Sequence, residues 1–201
     1  SPALAGAAPT GQPFFVMEYV PGLPVHEFAD ANHLSLEGRL RLFVQICEVV
    51  QHAHQNGVLH RDLKPSNVLV RWRERTIEVK VIDFGLAKVV AATATVSTEP
   101  TSTEAGRLLG TPEYMSPEQA RGQQVDTRTD VYALGVVLFQ LVTGALPFAS
   151  EELRAQGIAS IVRILDTVDA PLASSRIAAT APAAGGLKGS CGRSAPTAPG
   201  A

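Results

Sequence analysis

At 201 residues, 45% of them hydrophobic, the chain is long enough for one medium domain with a real core. A formal net charge of -2 and a pI near 6.2 give no electrostatic case for nucleic-acid binding. The two cysteines, Cys47 and Cys191, lie far apart, which argues against a disulfide framework and for a reducing, cytoplasmic setting. No charged-then-apolar signal opens the chain, and its longest apolar run, 131–142, is too short to span a bilayer, so a soluble polypeptide with no membrane segment is expected.

Residues 1–13 are small and polar and read as a flexible leader. The aromatic and β-branched run 14–20 reads as a strand, stopped by Pro21-Gly22. A long helix follows, with Leu36, Leu40, Phe43, Cys47, Val50 and His54 as its core stripe, Ser35 as N-cap and Asn56-Gly57 as its stop. His52 and His54, two apart on a helix, point away from each other and make a poor metal pair.

Residues 60–67, His-Arg-Asp-Leu-Lys-Pro-Ser-Asn, follow this helix and precede a short β-branched run, so they form a firmly held loop. The loop carries a carboxylate, Asp62, an ammonium, Lys64, and an amide, Asn67. Those groups suit phosphoryl transfer: a base for an acceptor hydroxyl, a cation for phosphate, and an oxygen ligand for magnesium. A hairpin follows, strand 68–70 and strand 77–82, delivering Asn67 at its start and Asp83 at its end to one cleft.

Residues 89–109 lose periodicity and fill with Thr and Ser. They read either as a floppy loop or as a segment ordered by phosphorylation, with the Arg61 guanidinium as the phosphate's partner. The apolar run 131–142 fits a buried helix, with Asp130 just before it, and 151–165 form one more amphipathic helix. From 169 onward the composition collapses to Ala, Pro, Gly, Ser and Thr, read as a disordered tail.

Six blocks together resemble eukaryotic-type protein kinases over roughly residues 14–168: the strand 14–20, the loop 60–67, Asp83-Phe84-Gly85, the segment 110–118, the helix 126–144 and its Leu146-Pro147-Phe148 end. The wording Gly-Thr-Pro-Glu-Tyr-Met-Ser-Pro-Glu-Gln from 110 is especially similar to bacterial Ser/Thr kinases. The resemblance implies an α+β protein kinase-like fold, mainly the helical C-terminal lobe with its hinge strand. Most of the N-terminal lobe, with its Gly-rich loop, strand lysine and helix glutamate, is absent before Phe14, and the domain looks truncated at both ends.

The implied activity is transfer of the γ-phosphoryl of Mg-ATP to a protein Ser or Thr hydroxyl. By resemblance Asp62 takes the hydroxyl proton, Lys64 neutralises the γ-phosphate, and Asn67 and Asp83 hold magnesium. Met17 is the gatekeeper, the Glu18 carbonyl and Val20 amide face the adenine, and Leu69 is the floor beneath it. Thr111 bonds Asp62 and Lys64, Glu118 belongs to the substrate platform but lacks the late arginine that normally pairs with it, and Asp130 anchors the loop. Two other readings compete: a non-catalytic binding module with a substrate platform but no ATP clamp, and a small-molecule phosphotransferase, which the 110–118 segment counts against.

Overall fold

The computed structural model describes residues 4–7, 13–84, 111–155 and 157–180, with backbone alone for 4–7, 13–16 and 178–180. The Ser/Thr-rich segment 89–109, Gly85, Gly110 and the tail beyond 180 lie outside the described residues.

Two small antiparallel sheets precede and interrupt a helical body. Strand β1 (Leu4–Ala7), inside the expected flexible leader, pairs with β2 (Pro13–Val16). The strand expected over 14–20 therefore ends at Val16. The second sheet runs β3 (Leu23–Pro24), β4 (Val68–Arg73), β5 (Thr76–Val81), all antiparallel, with Val68 opposite Val81. On β4 the side chains alternate, Val68 and Val70 into the core and Leu69 on the opposite face. Gly22 lets β3 approach closely: a Cβ there would meet the Val70 carbonyl at 3.1 Å and the Val70 nitrogen at 3.2 Å.

Helix α1 (Val25–Ala31) buries Val25, Phe28 and Ala29, the one-face spacing of an amphipathic helix. In α2 (Leu36–Gln55) Ser35 caps as expected, its Oγ accepting from the Gly38 N–H at 3.2 Å, and the helix stops at Asn56-Gly57 with Gly57 at φ 74°. The buried face keeps the later part of the expected stripe and not its start. Leu42, Ile46 and Val50 are fully buried, Phe43 and Cys47 flank them, and Leu36 and Leu40 are 53% and 42% exposed. Apolar residues occupy more than one face of this helix, so spacing alone fits two stripes and tertiary packing selects one.

Helix α3 (Pro117–Ala120) is a single capped turn. Helix α4 (Thr127–Thr143), as expected, is the most buried, and ends at Gly144 in the left-handed conformation. Arg39 staples these layers, donating to the Leu141 carbonyl at the C-terminal end of α4 (2.9 Å), to the Leu34 carbonyl and to Asp30. The single helix expected over 151–165 is two, α5 (Ser150–Arg154) and α6 (Ile158–Thr167), because Gly157 at φ 65° takes the chain off the helical path. A further helix, α7 (Ala173–Thr180), occupies the start of the expected tail and lies against α4.

One core joins α1, α2, α4, β4 and Leu63; a second, smaller one gathers Ala120, Phe148, Leu153, Ile161 and Ile164. The result is a mixed α/β body, mainly helical, as the resemblance implies. Among the described residues no helix is long and apolar enough to cross a membrane.

Candidate active site

The loop 60–67 leaves α2 and is fastened by a buried carboxylate on α4. Asp130 is 1% exposed, so water cannot satisfy it. Its Oδ2 accepts from the His60 N–H at 2.9 Å and its Oδ1 from the Arg61 N–H at 2.8 Å. His54, from the end of α2, places Nε2 2.7 Å from the same Oδ2. Asp130 thus accepts from two consecutive backbone N–H groups of the loop. His54 is a partner that sequence reading assigned to the helix core, because its acceptor lies 76 residues away.

His60 is fully buried under the loop, its ring 4.7 Å from that of Phe84. Nε2 lies 2.9 Å from the Ile82 carbonyl, and Nδ1 accepts from the Asp62 N–H at 3.3 Å. Both contacts suit the neutral tautomer protonated at Nε2. Burial pushes the imidazole below its ordinary pKa, and the hydrogen bond to Ile82 offsets this only in part.

Above this support the charged groups converge. Lys64 Nζ donates to Asp62 Oδ2 at 2.7 Å and reaches Thr111 Oγ1 at 3.4 Å. Asn67 Nδ2 donates to the Asp62 carbonyl at 2.9 Å, so the loop uses the nitrogen of this amide. The Ile82 N–H donates to the Asn67 carbonyl at 2.9 Å, tying the end of the hairpin to the loop just before Asp83. Asp83 takes the left-handed conformation, φ 62°. Sequence-expected Asp62, Lys64, Asn67 and Thr111 are therefore together, although Lys64 links Thr111 to Asp62 where a direct bond was also expected. A carboxylate, an ammonium and an amide on one rigid loop can accept a proton, neutralise an anion and offer an oxygen ligand.

Beside Lys64 and Thr111 opens a pocket of about 320 Å³, walled on its far side by His26, Tyr114 and Gln140. The Tyr114 hydroxyl donates to Gln140 Oε1 at 2.5 Å. Burial, with the neighbouring Glu113 charge, pushes its pKa up to about 12, so the phenol remains a donor.

The segment 111–120 is itself pinned. Glu113 is buried and takes a two-pronged contact from Arg154 of α5, Nε to Oε1 at 3.0 Å and Nη2 to Oε2 at 3.1 Å. Glu118, expected to lack a partner, accepts from Thr129 Oγ1 at 2.5 Å. Burial alone would raise its pKa, but the bonds from Thr129 and the backbone, with the Arg128 charge, outweigh burial and hold the carboxyl below its usual value. Thr129 sits in the first turn of α4 and satisfies the carboxylate without an arginine.

The expected adenine-side residues do not join this cluster. Met17 is 53% exposed and Glu18 lies 3.7 Å from Lys80 across the surface. Val20 is half-buried, and Leu69 stands on the outer face of β4, between Pro24 and Lys80 in the register.

This architecture and this loop are those of one large class of proteins. The sequence matches the protein kinase domain over residues 8–184, and the chain belongs to the protein kinase family. It is 48% identical over 148 residues to the serine/threonine-protein kinase pkn3 of Myxococcus xanthus, covering 73% of this chain and 26% of that protein. It is 42% identical over 139 residues to the serine/threonine-protein kinase PrkC of Bacillus subtilis, 69% of this chain and 20% of that protein. It is 35% identical over 159 residues to the serine/threonine-protein kinase PknB of Mycobacterium tuberculosis, 75% and 24% respectively. The chain thus spans about a quarter of the length of the curated relatives it matches.

Proposed function

We propose that the protein phosphorylates serine or threonine side chains of protein substrates with Mg-ATP. The observation that carries the reading is the Asp62–Lys64–Thr111 chain of contacts, which joins a loop carboxylate to the segment expected to dock the acceptor. Relatives with 35–48% identity bear the serine/threonine-protein kinase name.

In this reading Asp62 accepts a hydrogen bond from the acceptor hydroxyl, orients its oxygen and takes its proton as the new P–O bond forms. Lys64, already within reach of Asp62 and Thr111, sits where it neutralises charge on the transferred phosphoryl group. Asn67 and Asp83 fit magnesium: the Asn67 amide nitrogen is used by the loop, leaving its oxygen free to ligate, and Asp83 follows a strand tied to Asn67. Two such oxygen donors suit an ion that keeps several of its waters. When bound, the ion screens the phosphate oxygens. Met17, Glu18, Val20 and Leu69 form the adenine side, Leu69 offering an apolar face away from the core. Arg61 and the 89–109 hydroxyls are the proposed means of phosphorylation control. The cytoplasm, where Mg-ATP is held, is the compartment this chemistry needs.

The test is phosphoamino-acid analysis of an acceptor protein such as casein after incubation with the whole protein and labelled ATP. Phosphoserine or phosphothreonine formed only with magnesium is the expected result; no magnesium-dependent incorporation above a protein-free control overturns the reading.

A further inference from the structure

Gln119 connects two segments that lie 58 residues apart in sequence. It sits in the single-turn helix α3, where it closes a reciprocal cap with Ser116. The Ser116 N–H donates to Gln119 Oε1 at 3.0 Å, and Ser116 Oγ accepts from the Gln119 N–H at 3.4 Å. The cap uses only the oxygen of the side-chain amide. The amide nitrogen points the other way and donates to the Arg61 carbonyl at 2.7 Å.

That carbonyl belongs to an unusual residue. Arg61 has φ 66°, a conformation a non-glycine side chain holds only where its surroundings impose it. Its N–H is fixed by Asp130 Oδ1 at 2.8 Å. Its carbonyl shares one rigid peptide plane with the N–H of Asp62. Gln119 grips one edge of that plane; His60 Nδ1, 3.3 Å from the Asp62 N–H, grips the other.

We propose that Gln119 is a positioning residue for the phosphotransfer reaction. Its amide nitrogen sets the plane of the 61–62 peptide, and so the aim of the Asp62 carboxylate, from the segment that docks the acceptor. Because one amide binds Ser116 on the docking side and Arg61 on the loop side, a shift of the platform is passed to Asp62. The proposal rests on the kinase reading for its chemical consequence and on geometry for the clamp itself.

Two substitutions separate the clamp from the cap. Gln119→Glu keeps an oxygen for the Ser116 N–H and loses the donor to Arg61; Gln119→Met keeps the length and loses both. In the whole protein both variants should lower kcat roughly tenfold to a hundredfold, the scale of a mispositioned catalytic group. For Gln119→Glu, KM for ATP and for acceptor should stay within about threefold, since the cap on the docking side is kept. Both variants should lower the melting midpoint, Gln119→Met by more, because it loses the cap as well as the bond to Arg61.

Amide hydrogen exchange supplies a reading that needs no turnover. Gln119→Glu should speed exchange at Arg61 and Asp62 about tenfold or more while α2 and α4 keep their rates. Gln119→Glu with kcat within about twofold of the parent, exchange at Asp62 unchanged, or acceleration spread evenly through α2 and α4 overturns the proposal. If the unsubstituted protein transfers no phosphate, the kinase reading fails and the exchange result alone decides the clamp.

Discussion

A carboxylate sealed from water has to find its hydrogen bonds inside the protein, and Asp130 finds three, two of them from the backbone of the loop it holds. His60 completes the support from below, and its buried ring gives this layer a pH signature. Its folded pKa lies below the ordinary 6.5, so in the window between the two values the unfolded chain binds a proton that the folded chain does not. This contribution to stability is complete above 6.5 and is lost as pH falls through that window. An NMR titration of the His60 imidazole in the folded chain should give a midpoint below 6.5; a midpoint at or above it contradicts the buried neutral tautomer. The role of Asp130 was legible only through the kinase resemblance; its place near a helix N-terminus implies no more than a favourable charge there. His54 and Gln119 were not: each acts through a partner far along the chain, and no local spacing encodes that distance.

Elements were legible in type more than in facing. The long α2, its Ser35 cap and the hairpin from Val68 to Val81 follow from local chemistry. The core stripe of α2 followed only from Phe43 onward, since Leu36 and Leu40 continue the helical period as well as Leu42 and Ile46 do. Ile46 is fully buried and Leu40 is not, so the two facings separate by mutation. Ile46→Ala should destabilise the chain by about 2–5 kcal/mol through a lost side chain and a residual cavity. Leu40→Ala should cost less, about 1 kcal/mol, its side chain being 42% exposed already. Chemical denaturation checks both, and equal losses would restore the stripe read from spacing. The break at Gly157 was hidden for a different reason: a glycine inside an amphipathic run is tolerated by the pattern, and only its positive φ ends α5. Helix α7 was missed because Ala and Ser supply helix propensity without an apolar stripe.

At the scale of the molecule, two cores flank the site. The larger carries Leu63 of the loop together with α2 and α4; the smaller holds α3, α5 and α6, and with them the segment from Thr111 to Ala120. The catalytic candidates therefore meet where two separately packed units touch, through Lys64–Thr111 on one side and Gln119–Arg61 on the other. Kinase-family membership is settled by the match over residues 8–184. The proposed chemistry hangs on Asp62, whose carboxylate is the base in this account. The most direct measurement is phosphotransfer from Mg-ATP to an acceptor protein by the whole protein carrying Asp62→Asn, an isosteric change that leaves the loop's packing in place. The account predicts a fall in kcat of about a hundredfold or more, with the melting midpoint and ATP affinity retained. Asp62→Asn turnover within about threefold of the unsubstituted protein would contradict it.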